Sequence, residues 1–380
     1  MVQNRSSKPV HIVHVIGSLV PGGAELVLAR LLEGVDSETF PATVISLTDK
    51  EGLGQRIEAA GVQVYELGMK KGIRSPGAFL GLYRLLKNLQ PDVIQSWLYH
   101  ANFLCSLMKV LMPGKKLIWS IRHTKLGRLH DKSLTILLAR LSAVLSFLPD
   151  RIVYCSQESA SVHAALGYSR KRAVFIPNGY DTKVYSPQPE LRAKSREKWG
   201  VSEGKRVIGF AGRFHPAKDI NSFLKAAAQL HLTEPAGFVL CGRGMDRNNQ
   251  ELAARIADLG LSEEVLLLGE QGDMPAFYNS LDVFALTSIS EAFPNVVAEA
   301  MACGVPCVVT DVGDAALIVG DSGIVVPPRD TETMAAGWLK LIGFSAAERE
   351  SLGISARKQI VTRYSMGEMV RRYEELYRVV

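Results

Sequence analysis

The residues best suited to chemistry lie in the stretch 290–306 (SEAFPNVVAEAMACGVP), where Glu291 and Glu299 stand eight positions apart. Pro294 is favoured near a helix start, Gly304 suits a helix C-terminal cap, and Pro306 forbids continuation, so the pattern predicts a short helix over about 295–303. Glu299 then sits in that helix and Glu291 in the loop before it. Carboxylates so placed can accept hydrogen bonds from sugar hydroxyls while the amides of the helix start face a phosphate. Two glutamates and a cap can equally be structural.

A second stretch, 212–218 (GRFHPAK), follows a strand-like run and precedes a helix that Asp219 can cap. Arg213 and Lys218 are cations at the carboxyl end of a strand, where open parallel sheets bind ligands, and a diphosphate is a natural guest beside Gly212. The plain alternative is a pair of solvated surface charges. A third stretch, 17–25 (GSLVPGGAE), joins the first strand to a helix, and Gly22 and Gly23 let backbone N–H groups approach a bound anion. It lacks the GxGxxG spacing of dinucleotide sites, and a tight turn without a ligand also explains it.

Short apolar runs alternate with helical patterns along the whole chain, which predicts βαβ units and parallel sheets, an α/β fold. Strands are predicted at 10–16, 43–48, 62–67, 92–97, 116–121, 151–155 and 173–176, then at 207–211, 238–241, 265–268, 283–287, 305–309 and 323–326. Between them, Ile220, Phe223, Leu224, Ala227 and Ala228 form one apolar helical stripe. The stretch 181–204 turns charged and proline-bearing, which places a domain boundary near residue 200: 1–200 on one side and 201–364 on the other. The last segment, 365–380, reads as an amphipathic helix.

Length and composition fit two globular domains: 380 residues, 47% hydrophobic and 22% charged, with 33 Gly and 17 Pro, exclude disordered, collagen-like and coiled-coil readings. The longest apolar stretch, 134–148, contains Arg140 and falls short of the roughly 20 residues that cross a bilayer. The polar lead 3–8 runs into a strand-like segment, so no export signal is expected and the expected location is cytoplasmic. Five cysteines without metal-ligand spacing suit reduced, buried thiols.

The net charge of +6 is uneven: residues 1–200 carry 27 Lys and Arg against 15 Asp and Glu, and the remainder 17 against 23. No zinc finger, RNA-binding motif or aromatic-interleaved basic run favours nucleic acid. The basic segments 70–74, 109–116 and 122–132, beside the apolar stretch 134–148, point to an anionic membrane surface as a peripheral partner, on the inner face of the cytoplasmic membrane. Their bland reading is a core helix with solvated charges.

The stretch 290–313 (SEAFPNVVAEAMACGVPCVVTDVG), the GRFHPAK segment and the PGGAE loop together resemble the retaining glycosyltransferases of family 4, which include bacterial cell-envelope transferases and sucrose-phosphate and glycogen synthases. The resemblance covers nearly the whole chain, and the family's pattern of two glutamates separated by seven residues is matched by Glu291 and Glu299. It implies a GT-B fold: two Rossmann-like domains facing across a cleft, with the last helix packing back on the first and the nucleotide sugar held mainly by the second. By resemblance, Glu299 binds the nucleotide ribose, Glu291 contacts donor-sugar hydroxyls, and Arg213 and Lys218 neutralise the diphosphate. Amides near Phe293, Pro294, Asn295 and Val296, with the Gly22–Gly23 loop, complete its cradle. His123 and His100 are the candidates for contact near the reacting carbon.

The implied reaction moves a hexose or N-acetylhexosamine from a UDP-sugar to a saccharide or polyprenyl-linked acceptor in envelope polysaccharide assembly. It is expected to need neither metal nor other cofactor, the chain having no DxD metal motif. Two rivals share the architecture: a UDP-sugar 2-epimerase-like isomerase, and a nucleotide-sugar-binding protein without turnover.

Overall fold

The computed structural model describes residues 8–69, 76–122, 133–202 and 204–380. The chain divides into two units, one formed by 1–179 with 366–380 and the other by 180–365.

The first unit is built on seven parallel strands: β1 (Ile12–Ile16), β2 (Ala42–Ser46), β3 (Gln63–Glu66), β4 (Val93–Trp97), β5 (Lys116–Ile121), β6 (Arg151–Tyr154) and β7 (Ala173–Phe175). They lie in the order β3-β2-β1-β4-β5-β6-β7. β1 and β4 are buried along their whole length, as a sheet covered by helices on both faces requires, which is why they read as continuous apolar runs. The polar residues inside them are paired. Gln95 donates to Ser120 Oγ at 2.8 Å and accepts from the Tyr377 hydroxyl at 2.5 Å, and the Trp97 indole donates to His14 Nδ1 at 3.2 Å. Tyr377 belongs to the last helix, Met366–Val379, which buries Met369, Val370, Tyr373 and Leu376 in the core of this first unit.

The second unit repeats the plan with six parallel strands: β8 (Arg206–Ala211), β9 (Ala236–Cys241), β10 (Val265–Leu267), β11 (Val283–Leu286), β12 (Cys307–Thr310) and β13 (Gly323–Val326). Their order is β10-β9-β8-β11-β12-β13. In both sheets the order reverses beside the first strand, between β1 and β4 and between β8 and β11, the doubly wound pattern of Rossmann-like domains.

The division between the units falls at Gly179–Tyr180, earlier than the boundary near residue 200. The charged stretch after it is not a linker. It contains the helix Pro189–Lys198, whose Arg192 and Arg196 each bond the buried Asp282 carboxylate at 2.7 Å, while Asp282 also accepts from the Val207 amide at the start of β8. Two arginines and one carboxylate, rather than an apolar stripe, hold this helix to the second unit.

All five cysteines are buried, and burial pushes the thiols of Cys241 and Cys303 up to about 12. No helix among the described residues is long and apolar enough to cross a membrane.

Candidate functional site

The candidate site lies at the carboxyl ends of β8 and β11, the switch point of the second sheet, where loops run to opposite faces and leave a crevice. Three loops meet there through their backbones. The Gly212 amide donates to the Cys241 carbonyl at the end of β9, and the Gly242 amide donates to the Gly269 carbonyl beyond β10. Gly242 has φ +129°, and a Cβ at this position would stand 2.2 Å from the Gly212 carbonyl oxygen, so only glycine permits the approach.

Lys218 is positioned by a tight turn. The His215 ring accepts from the Ala217 amide, a 3₁₀ turn spans Pro216–Lys218, and Asp219 then takes the left-handed conformation (φ +46°) and caps the helix Ile220–His231 through Ser222. The loop after β11 is stitched to this turn: Thr287 donates to the Lys218 carbonyl at 3.0 Å and the Ile289 amide to the Ala217 carbonyl at 2.9 Å. The result is a part-buried ion pair between Lys218 Nζ and Glu291 Oε1 at 2.5 Å, with the Ser288 hydroxyl donating to the same oxygen at 2.6 Å. Gly313 packs under this loop at φ +56°, where a Cβ would meet the Glu291 and Ala292 carbonyl oxygens at 2.7 and 2.6 Å.

The short helix forms as Asn295–Ala302, with Pro294 at its N-cap and Gly304 at φ +75° just past its end. Its start is anchored from inside the unit. The Tyr180 hydroxyl donates to Asn295 Oδ1 at 2.6 Å, and the buried Phe293 ring stacks on Tyr180 with centroids 6.4 Å apart. One turn further on, Glu299 accepts from the Tyr278 hydroxyl at 2.8 Å. Burial, and then the neighbouring Glu299 charge, hold the Tyr278 phenol well above its ordinary pKa, so it stays a donor to the carboxylate.

Glu299 and Val296 line a pocket of about 560 Å³ together with Gly212, Gly242, Arg243 and Gln271. That volume is in the range that encloses a small organic ligand. The sequence motifs did not single out Arg243, Gln271 or Tyr278. They come from the loops after β9 and β10 and from the helix Met274–Asn279, and only the sheet order brings them to Glu299.

The second unit thus brings Gly212, Lys218, Glu291, Val296 and Glu299 together, with Phe293, Pro294 and Asn295 shaping the helix start. Arg213 adjoins Gly212, and its side chain is exposed. Gly22, Gly23 and His100 belong to the first unit. Gly22 is the N-cap of the helix Gly23–Gly34, and a Cβ on it would meet a Glu25 carboxylate oxygen at 2.5 Å; burial raises the Glu25 carboxyl above its ordinary range. His100 lies half-buried in the first turn of the helix Leu98–Leu111, just after Leu98 in the left-handed region (φ +67°). His123 falls outside the described residues.

Two Rossmann-like domains, with paired charges and a pocket at the switch point of the second, define a GT-B architecture. Residues 21–184 match glycosyltransferase family 4, and residues 205–343 match the glycosyl transferases group 1. The chain belongs to glycosyltransferase family 4. It is 32% identical over 213 residues to the D-inositol 3-phosphate glycosyltransferase of Nocardia farcinica (strain IFM 10152), covering 53% of this chain and 46% of that one. It is 22% identical over 311 residues to the UDP-Gal:alpha-D-GlcNAc-diphosphoundecaprenol alpha-1,3-galactosyltransferase of Escherichia coli, covering 80% of each. The chain spans about half the length of the first curated relatives it matches. In fold it is similar to the Anabaena protein HepE in complex with UDP, at TM-score 0.83 and 23% identity, over 98% of this chain and all of that one.

Proposed function

We propose that this chain transfers a hexose or N-acetylhexosamine from a UDP-sugar to a saccharide or lipid-linked saccharide in envelope polysaccharide assembly, with retention of anomeric configuration. The observation that carries the reading is a pocket at the sheet switch point lined by the Tyr278-held Glu299 and by Gly212, with Lys218, paired to Glu291, packed beside that glycine. Glu299 would take the ribose hydroxyls, the nucleobase would lie toward Arg243 and Gln271, and the diphosphate would lie along Gly212 and the start of helix Asn295–Ala302. The names of the relatives agree with this chemistry: HepE was solved with UDP and with UDP-glucose, and the Escherichia coli relative is named for a UDP-galactose donor and a diphosphoundecaprenol-linked acceptor.

In the reaction, the bond from sugar C1 to the diphosphate oxygen breaks, the acceptor oxygen bonds to C1, and the acceptor proton passes to the departing phosphate. Negative charge grows on the leaving group, where Lys218 and Arg213 lower its energy. Glu291 is engaged with Lys218 and Ser288, and Glu299 with Tyr278, so each carboxylate acts by binding and orientation rather than as a free acid or base. The lysine supplies the charge compensation that a metal ion gives other transferases, and the reaction takes no cofactor.

Transfer from a panel of UDP-sugars to saccharide acceptors, with and without a chelator, and with anomeric configuration read by NMR, tests this. A retained product, made equally fast with chelator, is expected. Lys218→Ala should lower kcat by about 10² to 10³ while the melting temperature stays near wild type. Full activity in that variant, or donor epimerised without acceptor, would contradict the assignment.

A further inference from the structure

The helix Ser133–Leu145 in the first unit is apolar on two sides. Leu138, Ala139 and Ala143 face the core, packed with Leu104, Cys105 and Met108. Leu134, Leu137, Leu141 and Val144 fall at i, i+3, i+7 and i+10, a single outer stripe, and all are exposed, Val144 by 72%. Phe147, 61% exposed, extends the stripe beyond the helix end, and Val110 and Leu111 add exposed apolar surface at the end of the neighbouring helix. A helix with only a core to serve would carry polar residues on that outer side.

The charge on the segments beside this stripe is one-sided. Among the described residues between Val93 and Pro149 there are five Lys and Arg and no Asp or Glu. The fold gathers further cations where the stripe ends. Lys109 and Lys116 reach Asp150 at 2.9 and 3.8 Å, Arg151 donates to the Asp150 carbonyl at 2.8 Å, and Arg172 donates to the Pro149 carbonyl at 2.6 Å. The Ser169 amide, bonded to Ser146 Oγ at 3.0 Å, fixes the exposed Arg170 and Lys171 beside the same corner. Asp150 is the carboxylate around which Lys109 and Lys116 gather.

From the pairing of an exposed apolar stripe with a cationic corner, we propose that the outer face of helix Ser133–Leu145 docks on an anionic lipid surface. Leu137, Val144 and Phe147 enter the interface, and Arg170, Lys171 and their neighbours meet the headgroups. A second copy of this chain fits less well, because two such corners brought face to face would repel. The docking face belongs to the first unit and the donor pocket to the second, so the inference does not depend on the donor reading.

Flotation of the full chain with vesicles tests it, comparing phosphatidylcholine alone with phosphatidylcholine containing phosphatidylglycerol, at low and high salt. Binding to the anionic vesicles that falls with salt is expected. Leu137→Glu/Val144→Glu and, separately, Arg170→Glu/Lys171→Glu should each weaken it about tenfold or more, with the melting temperature and UDP binding unchanged. Equal binding to neutral and anionic vesicles, or wild-type partition in either variant, would overturn the proposal. So would a concentration-dependent dimer by light scattering that the Leu137→Glu/Val144→Glu variant abolishes, since a second copy would then cover the face.

Discussion

At the scale of single residues, the site depends on polar atoms that are committed before any ligand arrives. Glu299 is held by a buried phenol that stays protonated, so Tyr278→Phe removes a charge-assisted bond from a part-buried carboxylate without changing the core volume. Hydrogen bonds to charged groups are worth about 1.5–3 kcal/mol, so UDP affinity should fall about tenfold or more in titration calorimetry with the fold intact. Unchanged affinity would separate Tyr278 from ligand binding. Glu291 and Glu299 were legible because their spacing and the flanking Pro294 and Gly304 define a loop and a short helix. Tyr278 was not, because nothing local distinguishes it from a core aromatic.

His14 makes a second residue-scale case, in the first unit. Burial first, with the nearby His11 charge, lowers its pKa from 6.5 to about 3, and its Nδ1 accepts from the Trp97 indole. The unfolded chain binds a proton there below about pH 6.5 and the folded chain does not until about pH 3. The stabilising contribution is therefore complete above pH 6.5 and is lost progressively as pH falls between those values. His14→Gln should flatten the fall of the first unit's melting temperature between pH 6.5 and 4, by up to one proton's worth of slope. An unchanged slope would remove His14 from the acid response.

At the scale of elements, the central strands were readable because they are buried apolar runs of doubly covered sheets, and the helix Ile220–His231 because its stripe and cap are both in the sequence. The helix Pro189–Lys198 lies in the stretch 181–204 that marks a domain boundary in the sequence and hides its helix for a physical reason. It carries almost no apolar surface and is fixed by Arg192 and Arg196 on Asp282, a partner about ninety positions away. Removing one member of a buried ion cluster leaves its partner's charge undercompensated. Arg196→Ala should thus cost the second unit about 3 kcal/mol by calorimetry and leave the first unit's transition in place. A first-unit transition that moved equally would assign this helix elsewhere.

At the scale of the whole molecule, two sheets share one winding order, and the pocket lined by Glu299 and the Lys218–Glu291 pair both belong to the second unit. The part of its lining that Arg243 and Gln271 supply was hidden in the sequence because it depends on the strand order β10-β9-β8-β11 rather than on any motif. The proposed transfer rests on this pocket taking a uridine nucleotide. Thermal unfolding with UDP, GDP, ADP and NAD, for the wild type and Glu299→Ala, tests it most directly. A ligand at a hundred times its Kd adds about 2.7 kcal/mol, a shift of several degrees for domains of this size. Stabilisation by UDP that Glu299→Ala abolishes is the expected result; stabilisation by NAD without UDP, or by UDP equally in both proteins, would contradict it.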